Sequence, residues 1–596
     1  MLTITIPQTA FLRFVEQVQN SSQTKNRETK KEQKWENMTE VGKSNPLEWW
    51  QTGIIYQVYP RSFCDSNGDG IGDLNGVTSK LDYFQYLGVG AVWLSPFYKS
   101  PMKDFGYDVS DFRDVDPIFG TLADFDQLVQ QAHKRGLKII VDFVPNHTSD
   151  LHDWFQKSCR RESPYDDFYI WHDGKTDADG KRQPPNNWLS VFGGSAWRWH
   201  EGRGQYYYSA FLAEQPDLNY RNPLVVKEMN DVVRFWLERG VDGFRVDALE
   251  CLFEAEDVSK DEPRSNLTGI PPFQFEYLDH IYTYEQPEIG DIVRGWRKVI
   301  GEHEQKDGKT RFMVIETYGE PKKRNRFYDY GANPFNMDLV DFLEAPLSGS
   351  KVRALVEREY NNLPKNGWPT FVLGNHDRKR VSSKYGSLYV DGLNMLLLTL
   401  RGTPTTYYGE ELGMEDIHVT FQQTQDPWGK NFGPERFQEF SRDPVRSPMQ
   451  WDATKNAGFT SSSSPWLPVH PDYTMRNVKD MRDCPEQTTL QLYAALARLR
   501  QDPAFQRGEL LYSITNENVF SYVRQKSEPT DISRYLVAIN FGKEASTDDY
   551  SGPPVESLRG VVVQCTCSVS DRLKDKIVDL TALKLAPGDG LVIKLN

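Results

Sequence analysis

The sequence predicts an α/β protein: a (β/α)8 barrel with a small domain inserted after its third strand and an antiparallel β-sandwich at its C-terminal end. Three observations carry this. From residue 54 onward, short apolar runs alternate with helical patterns, the rhythm of a parallel sheet or barrel. Three of these runs close on a carboxylate: Gly243-Phe-Arg-Val-Asp247, Phe312-Met-Val-Ile-Glu316 and Thr370-Phe-Val-Leu-Gly-Asn-His-Asp377. Carboxylates at the C-terminal ends of barrel strands converge on one mouth. Beyond residue 505 the helical patterns stop and short strands separated by turn residues take over.

Residues 1–46 read as a tail. Lys25 to Glu36 holds eight charged residues and no apolar period, which favours disorder or a solvated helix. The globular part begins near Trp49. Ile54–Tyr59 is the first strand, 77–87 a helix, Ala91–Ser95 the second strand and 122–133 the next helix. Leu137–Val144 is almost wholly apolar, as a parallel strand buried on both faces should be.

Then the rhythm breaks. Residues 146–219 are rich in Gly, Pro, Trp and Tyr, and a structureless loop of that length is improbable inside a compact domain, so they form an inserted domain over the barrel mouth. A helix at 225–238 resumes the pattern, giving a barrel of 47–145 and 220–504. Within it, Met395–Leu400 is a buried element, 414–473 a second excursion and 488–500 a helix. Strands at 519–523, 535–539, 560–564 and 590–595 make up the sandwich, 505–596.

Composition excludes several function classes. A net charge of −14 without a basic stripe argues against nucleic acid as the partner. Six cysteines (Cys64, Cys159, Cys251, Cys484, Cys565, Cys567) with no CxxC are no disulfide scaffold and leave the redox compartment open. No run approaches the ~18 apolar residues of a membrane span, and the N-terminus, lacking a basic region and an uninterrupted apolar stretch, is a poor signal peptide. Aromatic residues, 13% of the chain, supply core area and also flat faces on which pyranose rings stack.

Paired carboxylates point to glycoside bond cleavage, in which one acid attacks or stabilises the anomeric carbon while another gives a proton to the leaving oxygen. Asp247 suits the first role. Arg245 is two residues away on the same strand and therefore on the same face, so its guanidinium is expected to hold the Asp247 carboxyl below the usual range. Glu316, ending an apolar strand near that negative charge, is expected to keep its proton. Asp377, beside His376, is placed to hydrogen-bond sugar hydroxyls. Any one of these acids alone reads more readily as a helix cap; their conjunction at matching strand ends points to catalysis.

With these residues stated, a resemblance follows. The chain resembles the α-amylase family of glycoside hydrolases, and within it the α-glucosidase and oligo-1,6-glucosidase branch, in the style of insect maltases and sucrose hydrolases. It is carried by Asp142-Phe-Val-Pro-Asn-His147, Gly243-Phe-Arg-Val-Asp247, Val314-Ile-Glu316, Val372-Leu-Gly-Asn-His-Asp377 and Gln215-Pro-Asp-Leu-Asn219, together with Tyr56-Gln-Val-Tyr-Pro-Arg-Ser-Phe63 and Ser441-Arg-Asp-Pro-Val-Arg-Ser-Pro-Met-Gln-Trp451. The resemblance implies Asp247 as nucleophile, Glu316 as acid/base and Asp377 as transition-state stabiliser in a retaining double displacement. It places Asp104, Tyr107, His147, Arg245, His376 and Arg442 around a terminal glucose, with Asp104 and Arg442 closing the pocket for exo-action. It puts Arg436-Phe-Gln-Glu-Phe440 and the stretch from Asn187 to Phe192 at the leaving-group side, with Gln438 and Glu439 as candidates to bond the leaving sugar. Ala248, where relatives cleaving α-1,6 bonds carry Val, favours maltose-type sugars or sucrose over isomaltose. An extracellular, digestive or membrane-associated setting is implied as well.

A second candidate site is the loop Asp65-Ser-Asn-Gly-Asp-Gly-Ile-Gly-Asp73. Oxygen donors at alternate positions (Asp65, Asn67, Asp69, the Ile71 carbonyl, Asp73) suit a hard cation, with calcium expected in a structural role and magnesium as the alternative. Two other functions share this barrel. A non-enzymatic transporter heavy chain or receptor needs a membrane span and often loses the acids. A sucrose isomerase would rearrange its substrate, but Lys322-Lys-Arg-Asn-Arg-Phe327 is not diagnostic of one.

Overall fold

The computed structural model describes residues 46–528 and 531–595, so the expected tail, apart from Pro46, lies outside the described residues. Eight parallel strands close into a barrel in chain order. They are β1 (Ile55–Val58), β2 (Ala91–Leu94), β3 (Lys138–Phe143), β4 (Gly243–Val246), β5 (Phe312–Ile315), β6 (Asn333–Asn336), β7 (Thr370–Val372) and β8 (Thr403–Tyr407). The apolar runs form strands because helices cover the outside of the barrel while side chains fill its inside. Every residue of β2, β4 and β5 is buried. Gly243 is required by close approach, because a Cβ there would meet the Phe312 carbonyl oxygen at 2.6 Å.

The register sets the site. Arg245 on β4 pairs with Asp142 on β3 and Val314 on β5, so the guanidinium starts level with the β3 acid. Just past the strands, Asp247 N–H donates to the Phe143 carbonyl at 2.8 Å and Glu316 N–H to the Val246 carbonyl at 3.0 Å. The ladder therefore continues through both carboxylate-bearing residues and fixes their backbones. On the rim after β7, Asn375 Oδ1 accepts the Asp377 N–H at 2.9 Å, a turn that presents His376 and Asp377 side by side.

The helix Pro223–Glu238 that leads into β4 starts with Asn222 as its cap and Pro at its first position, a cap typically worth about 1 kcal/mol. It buries Val225, Met229, Val232, Val233 and Trp236, one face at helical spacing. Between β3 and this helix lie the helix Asp153–Cys159 and a three-stranded sheet of Trp171–His172, Gln205–Tyr208 and Trp197–His200. At the C-terminal end, a six-stranded antiparallel sheet shares one core with a two-stranded sheet. Val519, Leu536 and Leu591 of the larger pack with Leu583 and Leu585 of the smaller. The Met395–Leu400 stretch belongs to the fully buried helix Val390–Thr399. Among the described residues, no helix is long and apolar enough to cross a membrane.

Candidate active site

The C-terminal ends of the strands surround a cavity of about 430 Å³ lined by Asp104, Tyr107, His147, Asp247, Glu316, His376, Asp377 and Arg442. The sequence names these eight, which are far apart in the chain; they are part of a longer lining. At its floor one cation serves three acids. Arg245 Nη1 lies 2.8 Å from Asp142 Oδ1 and also bonds Asp247, while Nη2 lies 2.7 Å from Glu316 Oε2. The Arg245 side chain is 1% exposed, against 12% for Asp247 and 11% for Glu316, so the two acids reach from a dry layer into the cavity. Tyr318 Oη donates to Glu316 Oε1 at 2.5 Å.

This sharing corrects one expectation. Arg245 does not hold Asp247 below the usual range. Burial pushes the Asp247 carboxyl well upward; Arg245 pulls against it, and the neighbouring Glu316 and Asp142 push it further up. The Asp142 carboxyl is likewise raised to about 6, by burial first. One guanidinium cannot neutralise three carboxylates in a dry site, so the cluster retains a proton where surface acids have lost theirs.

Asp377 differs. Burial opposes its ionisation, but His376, Arg442, Arg446 and Arg378 together hold its carboxyl well below the usual range. His376 is itself neutral near pH 7, since burial lowers its imidazole to about 3, so the lasting positive charge comes from the arginines. Arg446 Nη2 lies 2.9 Å from Asp377 Oδ1, and Arg442 Nη1 lies 3.5 Å from the same oxygen.

Arg442 also closes one end of the cavity, with Nη2 2.6 Å from both Asp104 Oδ1 and Asp426 Oδ1. Gln215 Nε2 donates to Asp104 Oδ2 at 3.2 Å and meets His147 Nε2 at 3.1 Å. Burial lowers the His147 imidazole to about 4, leaving it neutral at ordinary pH. Tyr107 Oη meets His376 Nε2 at 2.6 Å, and the two rings stack almost in parallel.

The rest of the lining includes two further segments, of which the sequence singled out only Lys323, within Lys322–Phe327. Phe275, His280, Tyr284 and Glu285 form one wall, Tyr318, Glu320 and Lys323 the other. Gln438 and Glu439 are corrected: both are exposed and neither lines the cavity, and Glu439 is paired with Arg436 at 2.7 Å. The short helix Gly433–Phe440 turns Phe437 and Phe440 inward, which leaves 438 and 439 on its solvent face. Ala248 lines the cavity at φ 47°, a left-handed conformation that a β-branched residue tolerates poorly. Asp142, Asp426 and Arg446 also went unassigned. For Asp142 the signal was present, as a lone acid inside an apolar strand.

The loop 65–73 is curled around its own side chains. Asp65 Oδ1 accepts the N–H groups of Asn67 and Gly68, and Oδ2 that of Gly70. Asn67 Oδ1 accepts from Asp69 N–H and Asp69 Oδ1 from Ile71 N–H. Gly68 and Gly70 take left-handed φ values of 82° and 96° to allow the curl. Asp73 instead caps the helix Leu74–Ser79 through Gly76 N–H. Among the described residues, no three His, Cys, Asp or Glu side chains gather as a metal site. A cation here must rely on Asn67 and the Ile71 carbonyl beside Asp65 and Asp69, a mixed oxygen set suited to calcium.

Comparison with known proteins now has a geometry to refer to. Residues 57–508 match the family described as "Alpha amylase, catalytic domain". The chain is 44% identical over 563 residues to Maltase 1 of Drosophila virilis, covering 92% of this chain and 87% of that one. It is 41% identical over 564 residues to the human amino acid transporter heavy chain SLC3A1, covering 92% and 78%. Among solved structures, it superposes on the alpha-glucosyl transfer enzyme XgtA with a TM-score of 0.81 at 35% identity, covering 92% of this chain and all of the other.

Proposed function

The chain belongs to the alpha-amylase catalytic-domain family, a family of glycoside hydrolases, and from that premise we propose that it is an exo-acting, retaining α-glucosidase that removes the terminal glucose of maltose-type sugars and sucrose. One observation carries this reading. A single guanidinium bonds both Asp247 and Glu316, while Asp377 faces them across a cavity closed at one end by Asp104 and Arg442.

In this reading the terminal glucose sits against the closed end, its outer hydroxyls gripped by Asp104 and Arg442. Asp247 attacks the anomeric carbon as Glu316 protonates the departing oxygen, leaving a glucosyl ester on Asp247. Glu316 then takes a proton from water, which attacks the same carbon and releases α-glucose. Tethering both carboxylates to one guanidinium favours the short separation (~5–5.5 Å) that retaining enzymes use over the ~6.5–9.5 Å of inverting ones. Asp377, held anionic by its arginines, bonds sugar hydroxyls and stabilises positive charge as it develops on the ring.

Rates of glucose release from sucrose, maltose, isomaltose and trehalose test the proposal. Maltose and sucrose are expected to lead, with isomaltose behind, because Ala248 leaves room for an α-1,4-linked leaving sugar. Glucose and fructose as the products from sucrose favour hydrolysis; an isomer of sucrose would show rearrangement instead. Negligible release from all four, unchanged by Asp247→Asn, would support a non-catalytic role such as that named for the human heavy chain.

We also propose that the loop 65–73 takes a structural calcium ion, with magnesium as the alternative. The oxygen donors that the loop carries at alternate positions support this. A cation at 100 times its Kd stabilises a folded protein by about 2.7 kcal/mol, so EDTA is expected to lower Tm by several degrees and calcium to restore it. An unchanged Tm contradicts the site; restoration by magnesium alone reassigns the ion.

A further inference from the structure

Arg378 directly follows Asp377 and lines the cavity, and beyond lending positive charge to Asp377 it has no partner in the double displacement. Its side chain is 14% exposed. Its Nε lies 3.2 Å from Asp341 Oδ1, which anchors the planar fork from behind. Its Nη2, buried from solvent, has no hydrogen-bond partner among the described residues. The exposed part of the side chain lines the cavity, and among the described residues only its Nε is committed to a hydrogen bond, so donors remain open to a ligand there.

Position identifies that ligand. The guanidinium carbon lies 5.8 Å from the centroid of the Tyr318 ring, and Tyr318 Oη bonds Glu316. Arg378 therefore sits on the side of the acid/base carboxyl, where the leaving group departs, whereas Arg442 occupies the closed, glucose-binding end. Elsewhere on that side Lys323 is paired with Glu285 and Glu320 with Arg358, which leaves aromatic faces such as Phe275 and Tyr284. These accept any flat ring, but they do not read hydroxyls.

We infer that Arg378 is a specificity-determining residue whose cavity-facing guanidinium edge donates to a hydroxyl of the leaving sugar. It thereby favours α-glucosides with a polyhydroxylated leaving group over those with an aryl one. This rests on the proposed glycosidase reading and deepens it. A guanidinium suits the role because it stays charged at every working pH and donates along fixed directions. A charge-assisted bond to a neutral hydroxyl also discriminates strongly against partners that lack it.

The test compares kcat/KM for maltose and for 4-nitrophenyl α-glucoside in the wild type, Arg378→Gln and Arg378→Lys. Cleavage of the aryl glucoside by the wild type checks the underlying reading by itself. In Arg378→Gln, the maltose-to-aryl-glucoside ratio is expected to fall roughly 10- to 100-fold, chiefly through the KM for maltose. The Ki of 1-deoxynojirimycin, which needs only the glucose pocket, is expected to hold. Arg378→Lys keeps the charge without the fork and should fall between the two; if the glutamine variant does not fold, this one decides. A ratio unchanged in the variant that folds, or both substrates falling alike, overturns the inference.

Discussion

Asp247→Asn is expected to lower kcat on every α-glucoside by ~10⁴- to 10⁶-fold, the range seen when a nucleophilic catalytic set is broken. Asparagine keeps the shape and one acceptor toward Arg245 but cannot form the glucosyl ester. The stability readout separates this from misfolding. Burial and two nearby acids disfavour the Asp247 anion, so removing that charge relieves repulsion while Arg245 keeps Asp142 and Glu316. Thermal denaturation should show Tm unchanged or raised. A Tm lowered in parallel with activity would mean that Asp247 acts mainly as structure.

The same electrostatics set the pH dependence of the wild type. Attack requires the carboxylate form, and burial raises the Asp247 carboxyl well above the usual range, as it also raises that of Asp142 beside it. Because the shift is upward, the anion forms only as pH rises through the raised value. The acid limb of kcat/KM should therefore lie above the ordinary carboxylate range. A limb near pH 4 would contradict the shared-guanidinium account.

Glu316→Gln should produce the second largest loss, ~10²- to 10⁴-fold on maltose, typical of a missing general acid. The loss should depend on the leaving group. 4-Nitrophenolate departs without a proton, so its first step survives while attack of water, now without a base, becomes limiting. A burst of nitrophenol followed by slow turnover is then expected under stopped-flow absorbance. Equal losses on both substrates without a burst would remove Glu316 from the proton-transfer role.

Much of this architecture was legible because its signals are local. β1 to β5 announce themselves as apolar runs, and the three acids follow such runs directly. β6, Asn-Pro-Phe-Asn, and β8, Thr-Pro-Thr-Thr-Tyr, are polar and contain proline, so only closure of the barrel makes them strands. The Arg245–Asp247 contact could be read from alternation along one strand. The Asp142 and Glu316 contacts could not, because they depend on cross-strand register; nor could the burial that, ahead of those two acids, reverses the expected direction of the Asp247 shift. The leaving-group side was sought at 436–440 and 187–192; the cavity takes the end of the second stretch, including Phe192, nothing from the first, and adds residues from 275–285 and 318–323. Which loops meet at a barrel mouth is a tertiary fact that no local pattern encodes.

The central claim is that Asp247 carries glucose covalently, and it can be tested by trapping. Incubation with 5-fluoro-α-glucosyl fluoride, which slows the second step more than the first, followed by peptide mass spectrometry, is predicted to place one fluoroglucosyl group on the peptide containing Asp247. A label on another residue, or an unlabelled enzyme that releases β-glucose from maltose, would contradict the account.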